Sequence, residues 1–194
     1  MKYLIACLGN VGLEYENTRH NIGFKVADTL ATAAGLRFSA GRHGSVAELR
    51  HRGRSLILLK PSTYMNLSGK AVGYWLQAEK IPLDKLLVVL DDINLPFGRL
   101  RMRGSGSDGG HNGLKSVALT LGSEGYARLR CGVGNSFSRG QQVDFVLGEW
   151  TDDERKLLPA CLDKAADAVK SFAAIGLERT MNAANTAPDV LIAP

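Results

Sequence analysis

Residues 86–91 read Leu-Leu-Val-Val-Leu-Asp (LLVVLD). Five aliphatic residues in succession leave no polar face, so a strand made of them must be covered on both sides. Such a strand belongs inside a sheet with helices packed on each face, and this one stops at a carboxylate. Upstream, residues 3–8 (YLIACL) form a second apolar run, ended by Gly9 and Asn10. Residues 45–50 and 55–60 read as a strand pair turning at Gly53, with Pro61 breaking the second strand. Residues 99–103 alternate basic and apolar side chains, as an edge strand does, and 129–133 supply a further strand.

Helical periodicity fills the gaps between these strands. Ile22, Val26, Leu30 and Ala33 recur at helical spacing, and Gly35 can close that helix. A helix over 67–79 turns Val72, Trp75 and Leu76 inward, and another over 114–121 follows a glycine-rich loop. The last long helix starts at TDDE (151–154), where Thr151 and Glu154 have the spacing of a capping box. Leu158, Cys161, Leu162, Ala165, Val169 and Phe172 then form one apolar stripe that reads as core. Strands alternating with helices predict an α/β fold with a mixed sheet. The expected organisation is a single domain over 1–187 and a loose tail over 188–194.

A chain of 194 residues is long enough for one domain with a real core. Its 45% hydrophobic and 22% charged content excludes disorder. A net charge of +5 admits a polyanionic partner without requiring one. Cys7, Cys131 and Cys161 are far apart and form no CxxC, which argues against a disulfide framework or a zinc knuckle. They read as buried free thiols. The apolar N-terminal stretch is too short for a signal peptide core, and no apolar stretch approaches membrane-spanning length. The expectation is a soluble, cytoplasmic protein without membrane partners.

In α/β sheets ligands bind at the carboxyl ends of the strands. Asn10 ends the first strand and Asp91 ends LLVVLD, so neighbouring strands would put both in one crevice with His20 of ENTRHNIGF (16–24). An Asp paired to one imidazole nitrogen fixes the tautomer, and the other nitrogen can take a proton from water. No GxSxG nucleophile is present. The pair therefore suits direct attack of water on an activated carbonyl, and an ester is a feasible target. His43 and His51 read as solvent-facing, and His111 of GGHNG as support for its loop. No His-carboxylate cluster is visible that would hold a metal. Asn10, Asn66 and Asn112 are each ordinary turn or cap residues alone. Together their carboxamides match a peptide backbone of any sequence and could stabilise an oxyanion. Arg99, Arg101 and Arg103 share a strand face ahead of the glycine-rich loop, a combination suited to phosphate. GNVG (9–12) is not GxGxxG and no Walker lysine occurs, so no nucleotide cofactor is expected.

GNVGLEYENTRHNIGF, KPSTYMNLSGKAV, LDDINLPFGRLRMR, GSDGGHNGLKS and RLRCGVG occur in the order and rough spacing of bacterial-type peptidyl-tRNA hydrolase. The resemblance covers most of the chain. It implies a single α/β globule with a twisted mixed sheet flanked by helices, monomeric and needing no cofactor. It implies hydrolysis of the ester between peptide and the terminal ribose of tRNA. By the same resemblance His20 is the general base and Asp91 its partner, and Asn10 separates N-blocked from free aminoacyl-tRNA. Tyr15, Tyr64, Asn66 and Asn112 match substrate-contacting positions, and Arg103 and Arg130 stand near the tRNA end phosphate. Three positions depart from the family pattern: Val11 replaces a proline, Leu90 a histidine, and Asp108 adds a negative charge to the glycine-rich loop. None removes a catalytic position. Two other readings compete. One is a non-enzymatic RNA-binding protein on this fold, against which His20 and Asp91 both speak. The other is a small-molecule esterase or peptidase, against which the basic strand and loop speak.

Overall fold

The computed structural model describes residues 1–190. Among these, one seven-stranded sheet runs in the order β2-β3-β4-β1-β5-β7-β6. The strands are β1 (Lys2–Cys7), β2 (Ser39–Gly41), β3 (Gly44–His51), β4 (Arg54–Pro61), β5 (Leu86–Asp92), β6 (Leu100–Arg103) and β7 (Ala127–Gly132). β1 pairs in parallel with β4 and β5, and β5 in parallel with β7. Antiparallel pairings of β2 with β3, β3 with β4 and β6 with β7 make the sheet mixed, as expected. The chain leaves β1 toward one side, returns from β4, and continues on the other side through β5. The reversal lies between β1 and β5, the position where such sheets open a crevice.

The period of two divides each central strand between two cores. Tyr3, Ile5 and Cys7 join Leu87, Val89 and Leu129 on one face, packed against Val26 and Leu30 of helix α1 (Ile22–Ala33) and Val169 and Phe172 of helix α5 (Asp152–Ile175). Leu4, Ala6, Leu8, Val88 and Leu90 join the opposite core, under helices α2 (Ser68–Ala78) and α3 (Asn112–Leu121). Every residue of β5 is buried. All three cysteines are free and buried, with burial pushing the Cys161 thiol up to about 11.

Three elements differ from the sequence reading. The last helix is two: Gly176, at φ +86°, ends α5 and α6 (Leu177–Thr186) follows. Apolar residues on both sides of that glycine, Ile175 and Leu177, hide the break from periodicity. β2 and the five-residue helix α4 (Gln142–Val146) are too short to show a period. The capping box at Thr151 and Glu154 is present. β6 is an edge strand, with Arg101 and Arg103 exposed, whereas Arg99 lies before it and donates to Asp189 at 3.1 Å. Of the tail expected to be loose, Asp189 is held in this way; residues 191–194 lie outside the described residues.

Gly23 brings α1 onto the sheet. A Cβ there would lie 2.4 Å from the Leu8 carbonyl oxygen and 2.8 Å from that of Val89. Both obstacles are backbone, just beyond β1 and in the middle of β5, so the helix cannot accept a side chain without moving away. Gly23→Ala is expected to cost about 1–3 kcal/mol of stability by overpacking. Thermal unfolding would show it as a Tm several degrees lower; an unchanged Tm would mean that the helix has room to shift.

Candidate active site

Asn10, three residues beyond β1, is held from both sides of its own backbone. Its amide N–H donates to Asn21 Oδ1 at 2.8 Å, and its carbonyl accepts from Asn21 Nδ2 at 2.9 Å. The carboxamide of Asn21 thus pairs with Asn10 as a neighbouring strand would. The Asn10 Oδ1 accepts the Met65 amide at 3.3 Å. Its Nδ2 donors remain for the cleft that Asn10 lines.

His20 sits in a one-turn 3-10 helix (Arg19–Asn21) that runs straight into α1. The close approach at Gly23 carries this turn over the end of β5. There His20 Nδ1 lies 2.9 Å from both carboxylate oxygens of Asp91. On the far side, His111 Nε2 lies 2.9 Å from Asp91 Oδ1. Asp91 is only 3% exposed. Burial pushes its carboxyl up, but the imidazoles of His111 and His20 reverse that and hold it far below the usual carboxylate range. Burial likewise pushes His20 down, and the charge and hydrogen bond of Asp91 overcome it, leaving the imidazole pKa raised.

The tautomers follow from the donors present. His111 Nδ1 accepts the amides of Gly113 at 3.1 Å and Leu114 at 3.4 Å, capping α3. Its proton is therefore on Nε2, aimed at Asp91. An ionised Asp91 only accepts, so His20 carries its proton on Nδ1. This leaves the Nε2 lone pair of His20 as the one basic nitrogen not committed within the trio. His20, Asp91 and His111 place three ligand-type atoms within 4.8 Å, a cluster that the sequence did not show. A cation bound to His111 Nε2 would force the proton onto Nδ1, against two amide N–H groups, so this donor set fits protons better than a metal.

The cleft has a volume of about 460 Å³. Its polar side carries Asn10, Asp92, Asn112 and Arg130, and its apolar side Ile93, Val143, Val146 and Leu147. Arg130 is not a free cation: it lies 3.4 Å from Asp92 Oδ2 and donates to the Ser107 carbonyl at 2.8 Å. Tyr15, Tyr64, Asn66 and Arg103 do not line the cleft; Tyr64 is 78% exposed and Asn66 is exposed beside it. Asn112 is the first residue of α3 and not its cap. Among the departures, Val11 is exposed, Leu90 is buried in β5, and the Asp108 carboxylate turns back to accept the Gly110 amide at 2.7 Å.

Sequence reasoning missed His111, Asn21 and Arg19. His111 immediately precedes α3, but caps are normally Ser, Thr, Asp or Asn, so the neighbouring Asn112 drew that role. The other two act only through tertiary partners.

The family model described as peptidyl-tRNA hydrolase matches residues 4–190. A protein named peptidyl-tRNA hydrolase from Phocaeicola vulgatus is 60% identical over 185 residues, covering 95% of this chain and 99% of that one. One of the same name from Cytophaga hutchinsonii is 59% identical over 186 residues, covering 96% and 99%. The crystal structure of peptidyl-tRNA hydrolase from Acinetobacter baumannii superposes with a TM-score of 0.90 at 31% identity, covering 97% of this chain and 96% of that chain. The chain belongs to the peptidyl-tRNA hydrolase family.

The trio makes a specific demand on titration. With Asp91→Asn the charge that raises the His20 pKa is gone and burial remains, so the His20 imidazole should titrate below its ordinary value instead of above it. NMR titration of the ring protons reads this directly, and an unchanged midpoint would mean that Asp91 does not set it.

Proposed function

We propose that this protein hydrolyses the ester joining a peptide to the terminal ribose of tRNA, with His20 as general base. The observation that carries the reading is the uncommitted Nε2 of His20, opening on a cleft whose polar wall is built from carboxamides. A water hydrogen-bonded to Nε2 gives up its proton as its oxygen adds to the ester carbonyl carbon. The resulting oxyanion needs donors, which the carboxamide of Asn112 or the Nδ2 of Asn10 can supply. Collapse breaks the bond to the ribose oxygen, which takes back the proton from His20. Asp91 acts throughout by holding the Nδ1 proton and stabilising the imidazolium.

Asn10 supports the preference for N-blocked substrates. With Oδ1 occupied by Met65, it offers only N–H donors. A peptide carbonyl accepts from these, whereas the free ammonium of an aminoacyl-tRNA has nothing to accept with. Tyr64 and Asn66 flank Met65, which Asn10 bonds, and so extend the rim toward more distant peptide residues. Tyr15 is assigned to substrate contact by the family resemblance. Arg103, exposed on β6, supplies a cation for phosphate near the end of the tRNA. Arg130, neutralised by Asp92, acts by holding the glycine-rich loop through Ser107. Among the described residues no helix is long and apolar enough to cross a membrane. The substrate places the protein in the cytoplasm, where it works as a monomer without obligate protein partner or cofactor.

Release of tRNA from N-acetyl-aminoacyl-tRNA, beside free aminoacyl-tRNA, tests the reading. Only the blocked substrate should be cleaved. His20→Ala should lower kcat by about 10²- to 10⁴-fold with tRNA binding retained. Normal turnover in that variant would remove His20 from its role, and RNA binding without any cleavage by the parent would make the protein an RNA-binding member of the fold. Arg103→Ala should raise KM and make the salt dependence of binding shallower by about one unit of log–log slope; an unchanged slope places the phosphate contact elsewhere.

A further inference from the structure

The apolar side of the cleft rests on α4, a helix of five residues. So short a helix does not hold itself in water, and two of the aliphatic residues on this side, Val143 and Leu147, are 65% and 38% exposed. What fixes it is Arg19, the residue before His20. The Arg19 guanidinium is buried, donates to the Phe145 carbonyl at 3.2 Å, and is paired with Glu154 Oε2 at 2.8 Å. It lies 4.3 Å from the centroid of the Phe145 ring and 5.7 Å from that of Trp150. The Arg19 amide also donates to the Gly148 carbonyl at 3.1 Å, and Thr18 forms a β-bridge with Glu149. Glu154 in turn accepts the Thr151 amide at 2.7 Å, so the same carboxylate starts α5. One side chain therefore ties the turn carrying His20 to the short helix opposite it.

We infer that Arg19 is a positioning residue that fixes an apolar wall of Val143, Val146 and Leu147 beside His20, and that this wall receives the side chain of the amino acid esterified to the tRNA. The inference rests on the hydrolase reading above. The scissile carbonyl must lie within reach of a water on His20 Nε2. The side chain of the esterified residue is two bonds from that carbonyl carbon, so it falls inside the same cavity. The polar wall answers the peptide amides. The wall of α4 offers no hydrogen bond from Val143, Val146 or Leu147 side chains and suits aliphatic surface.

The test uses one tRNA body carrying either N-acetyl-leucine or N-acetyl-glycine, with the parent, Val143→Ser and Arg19→Lys. Val143 is on the surface, so its substitution does not threaten folding. Lysine keeps a charge opposite Glu154 but cannot also donate to Phe145 in the plane of a guanidinium. Both variants should raise KM for the leucyl substrate by about threefold to tenfold more than KM for the glycyl substrate, within what apolar contacts discriminate. In Arg19→Lys, amide exchange over 142–148 should quicken while β5 stays protected. An equal KM penalty on both substrates would overturn the side-chain assignment and give the wall to the terminal adenosine, common to both. A loss of kcat with KM intact, or unchanged exchange over 142–148, would overturn the positioning role of Arg19. Cleavage of both substrates by the parent keeps the hydrolase reading intact whichever way the variants behave, and failure of the parent on both would sink that reading itself.

Discussion

A carboxylate buried at the end of a central parallel strand cannot stay ionised unless donors face it. Asp91 is such a group, and much of the molecule answers its demand. Two imidazoles arrive from opposite faces of the sheet. His20 comes from the turn before α1, and His111 from the residue that caps α3. Each is held by something else: His20 by the helix that Gly23 lets down onto β1 and β5, and His111 by the amides of Gly113 and Leu114. The carboxylate is thereby ionised and oriented, and the proton positions on both rings are set before any substrate enters.

The same economy of ties runs through the rest of the molecule. Carboxamides stand in for strands where no strand is available. Asn21 pairs with the Asn10 backbone, and Asn185 does the same at the edge of β6, accepting the Met102 amide at 2.7 Å and donating to its carbonyl at 3.0 Å. Buried and half-buried arginines hold irregular or short segments by their carbonyl oxygens. Arg128, 1% exposed and stacked on Tyr126, donates to the carbonyls of Gly106 and Glu124. Arg130 holds Ser107, and Arg19 holds Phe145. A rigid strand end presents Asp91, helix starts present His20 and His111, and single polar side chains fix the irregular segments that shape the space around them.

The sequence disclosed those parts of this arrangement that local physics encodes. The aliphatic run of β5 could be covered only by helices on both faces, which already implied parallel strands and a crevice at their carboxyl ends. Asn10 and Asp91 were legible as strand-end residues, and His20 as their neighbour. The TDDE cap and the stripe from Leu158 to Phe172 were legible because capping and helical period are local. What stayed hidden depends on pairings distant in the chain. Arg130 reads as a free cation until the pairing of β5 with β7 sets Asp92 beside it. Arg19 looks like one more surface charge until α4 and Glu154 close over it. His111 looks like loop support until its two nitrogens are found facing a helix terminus and a carboxylate.

The most direct test is the tautomer of each imidazole in its neutral form, read from ¹⁵N chemical shifts of labelled histidine on the alkaline side of its titration. The account predicts opposite neutral tautomers: His20 with its proton on Nδ1 and Nε2 bare, His111 with its proton on Nε2 and Nδ1 bare. Finding His20 protonated on Nε2 in its neutral form would contradict it, because the nitrogen meant to receive the proton of water would already be occupied.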